Sequence, residues 1–340
     1  MPTQTRYSDE LIQRVNELFH DYTAVDYSRS HPEIFEEEAV RWRRLSKYLN
    51  TLDHPIRILD VGSGTGFVAA MISGVMKEKD TIILSDLSLE MLNLAKKKLE
   101  GEPKGPHLKF LKIASGNPYR IPLESNSVDG ITMNSVLHHI QDTKTFLGEL
   151  DRVLRPGGLL AICHEPNRRF FDKSLSYWAY RLASLVDTTP TRISRAIRIA
   201  ALKLSRQVSA ERFARRIYYL SDSAREKRRN RITQSSYQSL MLDDINRTLL
   251  AEHLISIPLE PDIGKLIDVR ATTGFDPLNL VPNYQILHLE TYDHLYKFKT
   301  VHRRNTLIKL IDDTMSKILP NQGSNFCEVL RKPVIMPIRS

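Results

Sequence analysis

The sequence predicts an α/β fold built on a largely parallel sheet, with ligands expected at the carboxyl ends of the strands. Three observations carry that expectation. Between residues 56 and 163, β-favouring apolar runs alternate with amphipathic helical stretches, the pattern of right-handed strand–helix–strand crossovers. The first strand, Arg57-Ile58-Leu59-Asp60-Val61, runs directly into Gly62-Ser63-Gly64-Thr65-Gly66, a turn where Cβ atoms would obstruct a ligand lying against the backbone. The second strand, Thr81-Ile82-Ile83-Leu84-Ser85, ends in Asp86, twenty residues after Gly66. That is the spacing at which nucleotide-binding units set a carboxylate against ribose hydroxyls.

The elements follow in order. Residues 8–50 predict helices, with Leu11, Val15, Leu18 and Phe19 at helical spacing; a second helix follows His31-Pro32, with Phe35, Val40, Trp42, Leu45 and Leu49 as its apolar residues. Then come strand 56–61, helix 66–77, strand 81–85, helix 88–99 capped by Ser88, strand 108–113, strand 128–133, helix 142–154 and strand 158–163. Asp60, Asp86, Ala114, Asn134 and His164 fall at the carboxyl ends of the five strands. Beyond Glu165-Pro166-Asn167 the pattern reads as helices at 170–186, 191–206, 208–226 and 232–249, with Pro190 and Ser/Asp turns as breaks.

Composition narrows the class. A chain of 340 residues buries a substantial core. Cys163 and Cys327 are its only cysteines, so neither a disulfide framework nor a cysteine metal site is expected, no metal site of any kind is read, and a reducing, cytoplasmic setting fits. The stretch from Met1 to Leu11 lacks the apolar core of a signal peptide, and no run approaches the ~18 apolar residues of a membrane span. Charge is concentrated: Arg192 to Arg231 carries thirteen Lys or Arg against three acids, a net of +10 in a chain of net +9.

The motifs LDVGSGTG at 59–66, SDLSLEML at 85–92, NSVLHHI at 134–140 and LDRVLRPGGLLAI at 150–162 together resemble the class I S-adenosylmethionine (SAM) dependent methyltransferases. The resemblance implies a Rossmann-like parallel sheet with an antiparallel final strand, preceded by N-terminal helices over the cofactor. It divides the chain into an N-terminal helical segment (1–50), a SAM-binding core (51–166), a basic helical cap inserted after the fifth strand (167–265), and the remainder of the core (266–340). That remainder holds a sixth strand at 284–289 and a seventh at 323–332. The spacing argues against a nicotinamide dinucleotide, whose fingerprint is G-x-G-x-x-G; here position 67 is Phe.

What the resemblance implies about the site can be written residue by residue. Backbone N–H groups of Gly62, Ser63, Gly64 and Gly66 face the methionine end of SAM, at a helix start suited to its carboxylate. Asp60 orders the loop or meets the SAM amino group through water. Asp86 accepts from the ribose hydroxyls, Leu87 and Met91 flank the adenine, and Asn134 completes the cofactor set. Ala114 and Ser115 stand where the family commonly has an acid for the adenine amine, so Ser115, Asn117 or a backbone carbonyl would substitute. Tyr22 and Tyr27 either close over the cofactor or pack the two N-terminal helices. His138 and His139 act as general base or orient the nucleophile, or else cap a helix and pack in the core. Glu165 takes a proton or holds a substrate cation, or else pairs with Arg168 or Arg169.

The expected activity is methyl transfer to a small acceptor, an anionic metabolite or natural-product intermediate being compatible with the basic insert. Two alternatives stay open. One is other SAM chemistry, either internal cyclisation of the azetidine-2-carboxylate kind or aminocarboxypropyl transfer. The other is a binding module tethered by its basic helices to a membrane or nucleic acid. The basic stretch itself reads first as a solvated helix face, then as an anionic-substrate or membrane contact; nucleic acid comes last, for want of an RNA-binding motif. Nothing in the sequence signals an oligomeric state.

Overall fold

The computed structural model describes residues 32–100, 105–114, 119–140, 142–172, 174–186, 274–296 and 305–334, together with positions 13, 16, 17, 20, 21 and 24. One helix, α1 (Pro32–Leu45), continues as a 3-10 turn over Ser46–Thr51 and leads into the sheet. The alternation then runs β1 (Arg57–Val61), α2 (Phe67–Ser73), β2 (Thr81–Asp86), α3 (Leu89–Leu99), β3 (His107–Lys112), β4 (Val128–Asn134), α4 (Thr143–Val153) and β5 (Leu154–Pro166). Two short helices follow, α5 (Arg168–Phe171) and α6 (Leu175–Val186), and the sheet closes with β6 (Gln285–Tyr292), α7 (Thr306–Ile318) and β7 (Asn325–Arg331).

Seven strands make one sheet in the order β3-β2-β1-β4-β5-β7-β6. The first five pair in parallel and β7 runs antiparallel between β5 and β6, as the resemblance implied. Parallel strands covered on both faces are apolar throughout, and Ile58, Leu59, Ile82, Leu84 and Ile131 are fully buried accordingly. Ser88 caps α3, its hydroxyl accepting from Met91 N at 3.1 Å, and Asp142 caps α4 by accepting from Thr145 N.

The structure moves several boundaries. The helix expected over 66–77 ends at Ser73, β5 begins at Leu154 because nothing separates it from α4, and the helix expected over 170–186 is split into α5 and α6. Val40, expected on the apolar face of α1, is 56% exposed, whereas Trp42 is buried. Tyr22, Tyr27, Ser115, Asn117 and almost all of the proposed cap, with its basic stretch from Arg192 to Arg231, lie outside the described residues. Among those described, no helix is long and apolar enough to cross a membrane.

One correction is chemical. Cys163 of β5 and Cys327 of β7 face each other in the antiparallel register and form a disulfide, with Cα atoms 4.0 Å apart. The expectation that two cysteines 164 positions apart leave no bridge fails because the sheet order makes β5 and β7 neighbours. Glu38 Oε2 lies 3.0 Å from Cys163 Sγ. Glu38, Cys163 and Cys327 form the single cluster of metal-ligand type among the described residues, and a disulfide withdraws both thiolates from coordination.

Two irregularities shape the end of the sheet. The β5–β7 ladder shifts register between Cys163 and Glu165, a bulge that contains His164. His164 and Ser135, at the ends of β5 and β4, both have left-handed backbones, with φ of 60° and 59°. Bulges at such rims re-aim side chains.

Candidate active site

A cleft opens at the carboxyl ends of β1, β2 and β4, lined by Gly62, Gly64, Asp86, Leu87, Met91, Ile113, Asn134, Ser135 and His139. The three glycines of the β1 turn all have positive φ, but they serve different ends. A Cβ on Gly66 would stand 2.9 Å from Leu99 Cδ1 and 3.1 Å from Ala95 Cβ, so Gly66 admits α3 and does not face the cleft. A Cβ on Gly62 would meet Val136 Cγ2 at 2.6 Å. Only Gly64 has open space where a Cβ would be, with nothing within 4 Å, and it is the position that offers its backbone to a ligand.

The carboxylates around this turn are buried. Asp86 accepts from Gly64 N and Ser88 N, both at 2.8 Å, and so ties the glycine turn to the start of α3. Burial pushes its carboxyl up to about 6 against those two hydrogen bonds. Asp60 accepts from Thr132 Oγ1 at 2.8 Å through Oδ1, while Oδ2 has no hydrogen-bond partner. Burial raises Asp60 to about 7. Asp86 borders the cleft, whereas Asp60 is fully buried and outside its lining.

These observations fit SAM. The Gly64 cradle suits its amino-acid end, Asp86 on the cleft wall suits its ribose hydroxyls, and Leu87 and Met91 supply an apolar wall. Of the other expected residues, Ser63 is buried behind the turn, its N–H donating to Ser85 O at 2.9 Å. Ala114 is exposed and stands clear of the cleft; Ile113 borders it instead. Asn134 is held by α1, its Oδ1 accepting from Trp42 Nε1 at 2.8 Å.

The three expected catalytic residues separate. His139 lines the cleft and His138 does not: its Nδ1 is 2.9 Å from Glu165 Oε2. Glu165 is neither on the substrate side nor paired with Arg168 or Arg169. It is fully buried, and it accepts from Val136 N, Leu137 N and His138 N at 2.6, 2.8 and 3.1 Å. The turn after β4, a 3-10 helix over Leu137–His139, leaves these N–H groups without intrahelical partners, and a β5 carboxylate satisfies them. Arg169 pairs with Asp276 instead, at 3.0 Å.

Sequence reasoning missed the N-terminal contribution. Gln13, Asn16 and His20 line the cleft, Glu17 accepts from Lys112 Nζ at 2.8 Å, and Asp21 accepts from Ser88 Oγ at 2.6 Å. The available signal was a polar stripe at positions 13, 16, 17, 20 and 21, which has helical spacing but reads as a solvated face when only apolar periodicity is scored.

Residues 59–162 match the family model for a methyltransferase domain. The Vibrio cholerae ubiquinone/menaquinone biosynthesis C-methyltransferase UbiE is 28% identical over 175 residues, which take in 50% of this chain and 66% of that protein, just under two thirds. Its Stutzerimonas stutzeri counterpart is 24% identical over 56% of this chain and 73% of its own length. Among solved structures, a SAM-dependent methyltransferase from Aquifex aeolicus is 28% identical over 48% of this chain and 75% of its own, with a TM-score of 0.33.

Proposed function

We propose, from the premise that residues 59–162 form a class I SAM-dependent methyltransferase domain, that this chain moves the methyl group of SAM to a small acceptor seated over the ends of β4 and β5. The observation that carries the reading is the open Gly64 position beside Asp86, both on the wall of a cleft that Leu87, Met91 and Asn134 complete. Bound SAM contributes a methyl group on a positively charged sulfur, an electrophile ready for in-line attack.

The chain's own contribution is placement and charge. The amino-acid end lies against the open Gly64 position, whose own N–H is held by Asp86. Asp86 serves the ribose while it fixes the turn, Leu87 and Met91 pack the adenine, and Asp60 balances the ammonium. Asn134, held by Trp42 of α1, lines the cleft, and His139 borders the space where an acceptor would meet the methyl. Holding a nucleophile about 3 Å from that carbon supplies most of the rate enhancement such a transfer needs.

The acceptor follows from chemistry rather than from any residue alone. The relatives are C-methyltransferases, and a carbon accepts a methyl when loss of a proton, from itself or from a conjugated hydroxyl, makes it nucleophilic. A small hydroxylated, weakly acidic acceptor is therefore the class proposed here. Calorimetry with SAM and with S-adenosylhomocysteine tests the cofactor site, and binding of neither refutes the reading. Incubation with SAM alone tests the reaction type: methylthioadenosine formed without an acceptor replaces methyl transfer by cyclisation or alkyl transfer. A host extract treated with isotopically labelled SAM identifies the acceptor by the mass of the labelled product.

A further inference from the structure

Two imidazole–carboxylate pairs stand at the carboxyl edge of the sheet, and they differ in what else the carboxylate does. Glu165 serves three backbone N–H groups besides His138, so that pair belongs to the framework of the β4 turn. The second pair has no such duty. His164 lies in the β5 bulge with a left-handed backbone, a conformation that costs a residue with a Cβ about 1–3 kcal/mol and clusters at functional sites. Its Nδ1 is 3.2 Å from Glu38 Oε1 and 3.3 Å from the Tyr292 hydroxyl. Glu38 is held in turn by Arg41 Nη1 at 3.0 Å, and the Arg41 guanidinium lies 3.5 Å above the Tyr292 ring.

An imidazole clamped this way carries its proton on Nδ1 and presents the lone pair of Nε2. Nε2 has no hydrogen-bond partner among the described residues, and 24% of the side chain is exposed. The sheet order places β5 next to β4 and away from β1 and β2, whose ends hold the cofactor residues. An acceptor seated beyond β4 from the cofactor would lie over β5.

We propose that His164, oriented by Glu38 and Tyr292, is the base that takes the acceptor's proton, and that the acceptor is a phenol-like or enol-like hydroxyl compound rather than an amine. The inference rests on the methyl-transfer reading and deepens it. The acceptor's O–H bond breaks and its proton passes to Nε2. The electron pair, on oxygen or on a conjugated carbon, bonds the methyl carbon as the methyl–sulfur pair stays with sulfur. Where carbon is methylated, its own proton moves to the oxygen as conjugation is restored, so one proton leaves in either case. The charged and titratable groups facing His164 are Glu38 and Arg41 from α1, Tyr292 and Asp293 at the end of β6, and Glu165 from β5. Burial opposes the imidazolium, but the three carboxylates, Glu38 foremost, outweigh it and raise the proton affinity above that of an ordinary histidine.

The test uses 4-nitrophenol, whose anion is coloured, titrated into the full chain saturated with S-adenosylhomocysteine at a pH below the phenol's own midpoint. The wild type is expected to show the phenolate band. His164→Gln should lower it about 10-fold or more, the effect of at least one pKa unit, and Glu38→Gln should weaken it through a lower imidazole midpoint. That midpoint, followed by NMR of the ring protons of His164, is expected above the ordinary histidine value in the wild type and to fall in Glu38→Gln. Absence of the band in the wild type, or its survival in His164→Gln, overturns the proposal, as does an unmoved midpoint in Glu38→Gln. Calorimetry on the same samples keeps the two readings apart. Failure of the wild type to bind S-adenosylhomocysteine strikes the methyltransferase reading, whereas intact binding without the band strikes His164 alone.

Discussion

The raised carboxylates of the cofactor site make a quantitative prediction about protons. Burial pushes Asp60 up to about 7 and Asp86 up to about 6, and on the proposed reading both ionise when the ligand binds. At pH 6 about nine in ten Asp60 side chains and half of the Asp86 side chains therefore hold a proton that binding must expel, about 1.4 protons in all, falling to about 0.1 at pH 8. The same titrations weaken apparent affinity by about 20-fold between pH 8 and pH 6. Calorimetry with S-adenosylhomocysteine, which keeps the ammonium, in buffers of different ionisation enthalpy measures proton release directly. Asp60→Asn should remove the larger share and leave about a twofold pH effect from Asp86. A proton release near zero at both pH values, or a pH effect unchanged in Asp60→Asn, would show that these carboxylates do not face the ligand's charge.

Three further outcomes separate framework from ligand contact. Glu165→Ala should lower stability by about 3–5 kcal/mol, seen as a large fall in Tm, because it leaves three backbone donors and His138 without their buried acceptor; a Tm within a few degrees of wild type would contradict that role. Gly66→Ala should destabilise through its clash with Leu99 and Ala95, whereas Gly64→Ala, with open space around it, should fold with only the left-handed strain of about 1–2 kcal/mol yet lose SAM affinity; equal losses of affinity with equal Tm values would dissolve the distinction. Glu328 is buried in β7, neither oxygen is hydrogen-bonded, and its carboxyl is raised by burial to about 8. A raised acid stabilises the fold while protonated and loses that contribution as pH rises through its folded value, so Glu328→Gln should gain stability over wild type above pH 8 and lose the advantage near pH 5, measured by denaturant unfolding.

The legible part of this molecule was the part written locally. Parallel strands announce themselves as apolar runs, the β1 turn as glycines, and Ser88 as a cap, because each is set by a few consecutive residues. That the final strand runs antiparallel followed from resemblance alone. What stayed hidden depends on residues distant in the chain meeting at one edge. Glu165 looks like a substrate-facing acid in sequence because nothing local shows that the β4 turn, nearly thirty residues earlier, exposes three N–H groups to it. Cys163 and Cys327 are separate until β7 inserts beside β5. The polar stripe of the N-terminal segment reads as solvent-facing until buried Asn16 and Glu17 are seen against β2 and β3.

The same reasoning separates the histidines. His138 and His139 attract attention because they sit inside a motif, yet the motif's constraint falls on the backbone: Glu165 holds the turn and takes one ring with it. His164 carries no motif, and its signal is physical: a residue with a Cβ in a glycine-like conformation, at a bulge, with one ring nitrogen clamped by a buried carboxylate and the other unpartnered. Local rules of sequence are broken where structure is shaped for something other than stability, and the strain at His164 is such a breach at the edge where the proposal seats the acceptor. If that strain aims a base, His164→Gly should abolish the phenolate band while S-adenosylhomocysteine still binds, and an intact band in His164→Gly would return His164 to the framework.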